Sequence, residues 1–262
     1  FYYSVCNQGY FCSDAEIFFV NTDNWQLTSR GKIEGEVFAL SQDGNLAAVN
    51  TCTKYERGWR DTYYCTYEKM RVWDISSSTL SDVGDEYEYI RDATISFDNK
   101  FMVFYGKNKY NECSMELVNL SNLDDITTLY QNKSDCWFGV IYFSPDNKHV
   151  VGKLNYRDTT TQIISIPDGT LISSGNHSDN FSSSAFSYDG SVLVTTEFEN
   201  IFNGTMLENV AKQVNIRDAQ DQSILKIVEE KADFAFFSFD NLFILTISNQ
   251  DHALKMWGVR NP

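Results

Sequence analysis

From end to end the chain sets short apolar runs against clusters of Ser, Asp, Asn and Gly, the mark of strands joined by tight turns. One unit recurs five times: an apolar residue, Ser, any residue, Asp, then Gly or Asn, followed by an apolar run. Its copies are LSQDGNLAAV (40–49), ISFDNKFMVF (95–104), FSPDNKHVVG (143–152), FSYDGSVLVT (186–195) and FSFDNLFILT (237–246). The aspartates Asp43, Asp98, Asp146, Asp189 and Asp240 stand 43 to 55 residues apart. Asp-Gly and Asp-Asn accept left-handed backbone, and the carboxylate can bond nearby amides. Each copy therefore predicts a hairpin with a strand on either side.

A second element follows each of these: MRVWDI (70–75), SMELVNL (114–120), TQIISIPD (161–168), QVNIRD (213–218) and LKMWGV (254–259). A sixth copy, EIFFVN (16–21), stands near the start. The second element alternates, as at Met70 and Val72 or Leu254 and Met256, as a half-buried strand does. Further short strands are read at WQLTS (25–29), ITTLY (126–130) and SILKIV (223–228). Four strands in about 50 residues is the arithmetic of one propeller blade.

On these residues the chain resembles a WD40-type β-propeller over nearly its whole length. FSPDN and FSYDG resemble the turn between blade strands a and b, and RVWD and KMWG resemble the end of strand c. Asp251-His252-Ala253-Leu254-Lys255-Met256-Trp257 follows the family's Asp-x-x-apolar-basic-apolar-Trp pattern. The pattern is divergent: Trp is replaced near Val118, Ser165 and Arg217, and Gly175-Asn176-His177 is a degenerate form of the family's Gly-His. The resemblance implies an all-β fold of about six four-stranded blades, at 1–30, 36–83, 93–130, 139–172, 183–228 and 234–262. It also implies that Trp73 and Trp257 are structural. Phe97, Phe143, Phe186 and Phe237 flank the turns and are expected to pack between blades. An insertion at 197–214 has helical character in MLENVAK (206–212). The chain opens directly on FYYSVC, with no initiator Met and no signal-peptide pattern. It reads as part of a longer polypeptide: either the ring closes with missing strands supplied elsewhere, or a seventh blade lies outside this chain.

The cysteines follow from this blade reading. Cys52 and Cys65 are symmetric about Gly58-Trp59 in one b–c hairpin, and Cys6 and Cys12 about Gly9 in the preceding one. In-register pairing would set each pair opposite, within reach of a disulfide after local adjustment. Cys113 and Cys136 fall on one face in neighbouring blades. The expected bridges are Cys6–Cys12, Cys52–Cys65 and Cys113–Cys136, which imply an extracellular or secretory-pathway lumenal setting. Six reduced thiols in a cytoplasmic scaffold are the alternative, and six cysteines allow 15 connectivities. Asn132, Asn176, Asn180 and Asn203 head Asn-x-Ser/Thr sequons in expected loops and are candidate glycosylation sites.

Charge narrows the partner. The chain carries 36 acidic and 21 basic residues, a formal net charge of −15, which disfavours nucleic acid and anionic membranes and reads as simple solubility or, alternatively, a basic partner. No stretch is long and apolar enough to insert in a bilayer. Three histidines, His149, His177 and His252, are scattered, and no nucleophile-elbow, phosphate-loop or metalloprotease motif is present. No catalytic residue, metal site or cofactor is therefore expected, and the chain is read as non-catalytic.

The most informative stretch is TKYERGWRDTYYCTY (53–67), whose Tyr55, Arg57, Trp59, Arg60, Tyr63 and Tyr64 are of the types that dominate binding hot spots. Tyr110, Tyr156, Arg157 and Phe202, with Phe198, extend the candidate surface. The plainer reading is that these side chains cover the outer edge of their own blade. The expected function is a protein-interaction or assembly module. The alternatives are the regulatory propeller of a larger peptidase-like enzyme and a glycan-binding propeller.

Overall fold

The structure, a computed structural model, describes residues 2–6, 14–21, 23–57, 63–132, 141–153, 160–176, 180–202, 207–228, 231–238, 240–249 and 251–258. Every regular element among them is a strand, and none is a helix. The chain forms two compact units, residues 1–136 and 137–262.

In the first unit, β1 (Tyr2–Cys6), β2 (Asp14–Val20) and β3 (Leu27–Glu34) form a three-stranded antiparallel sheet. Two four-stranded meanders follow. One is β4 (Glu36–Leu40), β5 (Leu46–Arg57), β6 (Tyr63–Asp74) and β7 (Thr79–Asp82). The other is β8 (Tyr87–Ile95), β9 (Phe101–Asn108), β10 (Cys113–Asn119) and β11 (Asn122–Asn132). A single pairing of Glu68 with Tyr87 joins β6 to β8, so hydrogen bonding runs on from one meander into the next.

The second unit repeats the plan. It holds β12 (Ile141–Phe143), β13 (His149–Lys153), β14 (Thr160–Ser165) and β15 (Leu171–Asn176), then β16 (Asn180–Phe186), β17 (Val192–Phe202), β18 (Leu207–Asp218) and β19 (Ile224–Val228). A three-stranded sheet of β20 (Phe234–Phe237), β21 (Phe243–Ser248) and β22 (Ala253–Gly258) follows. The helical reading of 206–212 is corrected. From Leu207 onward this stretch belongs to β18, paired with β17 from Phe202–Leu207 to Val192–Asp218. A continuous cross-strand ladder outweighs the small propensity differences that favour helix there.

The recurring turn forms five times with one geometry. The Ser hydroxyl donates to the Asp carboxylate two residues on, at 2.7 Å (Ser41–Asp43), 2.8 Å (Ser96–Asp98), 2.5 Å (Ser144–Asp146), 2.6 Å (Ser187–Asp189) and 2.6 Å (Ser238–Asp240). The same hydroxyl accepts the N–H five residues on, from Leu46, Phe101, His149, Val192 and Phe243. The residue after each Asp takes positive φ, between 57° and 72°, which is why it is Gly44, Asn99, Asn147, Gly190 or Asn241. The hydroxyl thereby closes the hairpin, and the left-handed residue reverses the chain.

Burial falls from the inner strands to the last one of each sheet. Ala47 to Thr51 of β5 and Met102 to Gly106 of β9 are buried without a break, so these inner strands are buried on both faces. The last strands, β7 and β19, are exposed. Trp73 on β6 is buried and packs with Ile17, Ala47, Val49 and Ile75, its ring lying over Gly31 of β3 where a Cβ would collide with it. Phe143 and Phe186 are buried, and Phe237 packs against the core around Val194 and Ile244. Phe97 departs from expectation and is exposed. In ISFDN the residue before Ser is Ile95, and it is Ile95 that is buried; Phe97 sits inside the turn, where its side chain faces out.

Trp257 donates its indole N–H to buried Thr246 at 3.0 Å. Arg217 holds the equivalent place in the preceding sheet, and its Nε donates to Thr195, the counterpart of Thr246, at 3.3 Å. The larger head of Arg217 also reaches Glu197 at 2.6 Å and the Gln222 carbonyl at 3.1 Å. Asn215 and Gln213 bond the same Glu197 carboxylate. A buried polar cluster thus replaces the indole.

Candidate functional site

The candidate site grows from the β5–β6 hairpin. Both strands run twelve residues, well past their partners in the sheet, so most of the 53–67 stretch read as a loop is strand. Residues 58–62, with Trp59 and Arg60, lie outside the described residues. Cys52 and Cys65 form a disulfide with Cα atoms 5.7 Å apart. They are not directly opposite: Cys52 pairs with Glu68 and Cys65 with Tyr55. Offsetting bulges at 52–54 and 54–55 interrupt the ladder between the two cysteines. Cys113 is also disulfide-bonded. Cys12 and Cys136 lie outside the described residues, as does the side chain of Cys6, so the other two expected bridges are not described.

Beside this hairpin lies a cavity of about 640 Å³, wholly within the first unit. Its walls come from four places: Glu36 at the start of β4, the facing residues of β5 and β6, Glu88 to Arg91 of β8, and Lys109 in the turn after β9. Glu68 is the buried centre. Its Oε2 accepts the Asn50 side-chain amide at 2.8 Å and the Ile90 backbone N–H at 2.6 Å. Burial pushes the Glu68 carboxyl above the usual range, against the pull of the Ile90 and Asn50 donors and the Arg91 charge. Glu36 is pushed up as well, by desolvation and then by the Glu68 charge. Asn50 is 8% exposed, and its Oδ1 has no hydrogen-bond partner among the described residues.

Most of the cations at this site are committed. Lys54 pairs with Glu56 at 3.1 Å, Lys109 with Asp85 at 3.3 Å, and Lys107 holds Glu88 at 2.8 Å. Arg91 stacks on the Tyr89 ring at 4.5 Å. Glu36 and Glu68 carry no ion pair among the described residues, so the floor keeps two carboxylates against one guanidinium.

Of the candidate binding residues, Tyr64 lines the cavity. Tyr55 and Arg57 alternate with the cavity-lining Lys54 and Glu56 and are exposed on the same hairpin. Tyr63 belongs to β6 by its backbone. Tyr110 stands in the next b–c turn, 70% exposed, with Lys109 at 5.4 Å over its ring. Phe202 is exposed at the end of β17, in the other unit, whereas Phe198 of the same strand is buried among core residues. Tyr156 and Arg157 lie outside the described residues. Among the sequons, Asn132 ends β11, and Asn176 and Asn180 lie by their backbone in β15 and β16, so these three stand at strand ends rather than in loops. Asn203 lies outside the described residues. Asn50, Glu68, Glu36 and Tyr89 were not singled out from sequence. The available signal was polar Asn50 and Glu68 set among inward-facing apolar positions.

The repeated antiparallel meanders closed by one turn define a protein of the β-propeller class. No family model matches the chain, and no curated protein matches it in sequence. Among solved structures it is similar to hydrazine synthase from Kuenenia stuttgartiensis, at 13% identity and TM-score 0.50, covering 95% of this chain and 93% of that one. It is also similar to a chain in the crystal structure of the mitotic checkpoint complex, at 10% identity and TM-score 0.48, covering 95% of this chain and 84% of that one. At these identities the likeness is one of fold.

Proposed function

We propose that the chain is a non-catalytic interaction module that docks a protein partner on the face formed by the β5–β6 hairpin. We read its repeats as divergent WD40 repeats and its setting as extracellular or lumenal. The observation that carries the reading is a disulfide across the hairpin, with Tyr55 and Tyr64 left 54% and 45% exposed beside an open cavity. Rigid aromatics on a cross-linked hairpin lose little entropy on binding, which is what a docking surface requires. The disulfide supports an oxidising compartment, and the net charge of −15 favours encounter with a basic partner.

The test is photo-crosslinking. A benzoyl-phenylalanine replaces Tyr64, or as control Leu225 on the exposed strand β19. Each protein is incubated with secreted and lumenal proteins of the cells that make it. A discrete adduct from position 64, weakened by Tyr55→Ala and absent from position 225, is expected. Equal labelling from both positions, or none from 64, would overturn the reading.

A further inference from the structure

Resting on the reading of this face as a docking surface, we infer that the cavity receives a lysine or arginine side chain of the partner. The charges left over at the site call for a cation. Once Lys54, Lys107 and Lys109 are matched to their carboxylates, Glu36 and Glu68 face Arg91 alone. Arg91 is itself turned onto Tyr89.

A second observation is independent of that charge. Asn50, buried in the same wall, has its amide orientation set by Nδ2 donating to Glu68, and this leaves Oδ1 as an acceptor without a donor. Buried acceptors are ordinarily paired, and ammonium and guanidinium groups are rich in donors and carry no acceptor. A basic head entering between Glu36 and Glu68 meets carboxylate oxygens on two sides. With a small adjustment of the wall it can also supply the hydrogen bond that Asn50 lacks.

The walls suit the stem of such a side chain. Tyr64 and Tyr67 from β6 and Tyr89 from β8 present ring surface along which an alkyl chain can lie, with ring faces that attract a cation. Resident cations already use two of these rings: Lys54 stands 5.4 Å from the Tyr67 centroid, and Arg91 lies over Tyr89. A cavity of about 640 Å³ holds a long side chain together with water. The Glu68 charge, which adds to desolvation in raising the Glu36 carboxyl, is offset when a cation lies between the two.

The experiment titrates short capped peptides, Gly-Ser-X-Ser-Gly with X as Lys, Arg, norleucine or Glu, into the ¹⁵N-labelled chain. The Ile90 amide, which donates to Glu68, is the reporter. The Lys or Arg peptide is expected to shift this signal and to bind at least about tenfold more tightly than the norleucine peptide, as a desolvated charge pair does. Glu36→Gln, at an exposed strand start, is expected to remove most of that preference without disturbing the fold. Glu68→Gln keeps an acceptor for Ile90 and serves as the second variant. Equal affinity for the norleucine peptide, no binding of any peptide, or tighter binding of a neutral chitotriose at the same amides would overturn the inference. If Glu36→Gln leaves the crosslink from position 64 intact while the basic peptides show no preference, the docking face stands and the basic-pocket inference falls. If the basic peptides bind as expected and position 64 yields no adduct, the pocket stands and the docking reading falls.

Discussion

Replacing Ser187 by Ala tests the device that closes a hairpin in each four-stranded meander and in the β20–β22 sheet. Ser187 is buried, and its hydroxyl is used twice, donating to Asp189 at 2.6 Å and accepting the Val192 N–H at 3.0 Å. The first bond is charge-assisted and contributes about 1.5–3 kcal/mol; the second, between neutral groups, contributes about 0.5–1.5 kcal/mol. Ser187→Ala is therefore expected to destabilise the second unit by about 2–4 kcal/mol at neutral pH. Urea unfolding gives the total, and hydrogen exchange at the Val192 amide localises it. A double-mutant cycle with Asp189→Ala isolates the pair, with a coupling of about 1.5–3 kcal/mol expected. The Ser187 hydroxyl, then the Ser191 amide, hold the Asp189 carboxyl below its usual value. Its unfolded counterpart titrates near about 3.9. A lowered folded pKa means that the stabilisation is fully present above the unfolded value and is lost as pH falls through the folded one. The coupling should thus be the same at pH 7 and about pH 5, and shrink to that of a neutral bond only well below about 3.9. Asp43 and Asp240, also held low by their serines, should show the same profile. A coupling under about 0.5 kcal/mol at pH 7, or one unchanged in strong acid, would refute this account of the turn.

Two further perturbations probe packing. Gly35 lies between β3 and β4 at φ 117°, where a Cβ would stand 2.4 Å from the Asn50 carbonyl oxygen. Gly35→Ala should cost about 2–4 kcal/mol from backbone strain and overlap together; a thermal melt within about 0.5 kcal/mol of the parent would show that the corner relaxes freely. Arg217→Met leaves the buried Glu197 carboxylate without its guanidinium and should cost about 3–5 kcal/mol in urea unfolding. A loss under about 1 kcal/mol would mean that Asn215 and Gln213 alone satisfy Glu197.

The turns were legible because everything they need lies within six residues. Ser, Asp and the Gly or Asn after it carry their own hydrogen bonds and their own backbone preference. The strands flanking each turn were placed for the same reason, and so was the Cys52–Cys65 bridge, which spans one hairpin. Stretches whose state depends on a distant partner were less readable. Leu207 to Lys212 is compatible with a helix in isolation, and its pairing with β17 made it a strand. Phe97 looked interchangeable with the other turn-flanking phenylalanines, but its position after Ser, rather than before it, turns it outward. Nor did residue spacing announce that Glu68, rather than Cys65, stands opposite Cys52, or that two bulges interrupt the ladder between the cysteines.

The local code, then, settled an all-β chain of repeated hairpins, a turn at each Asp with its Gly or Asn, and an acidic surface with an aromatic hairpin. The cavity belongs to the tertiary structure. Glu36, Asn50, Glu68 and Ile90 sit on four different strands, and no pattern along the chain links them. They meet because β4, β5 and β6 pair in one sheet and β8 is joined to β6 where Glu68 faces Tyr87. Hydrogen bonds between residues far apart in sequence form only once the strands have stacked, so the charges, the unpartnered amide oxygen and the tyrosine walls acquire a common purpose only in the folded chain.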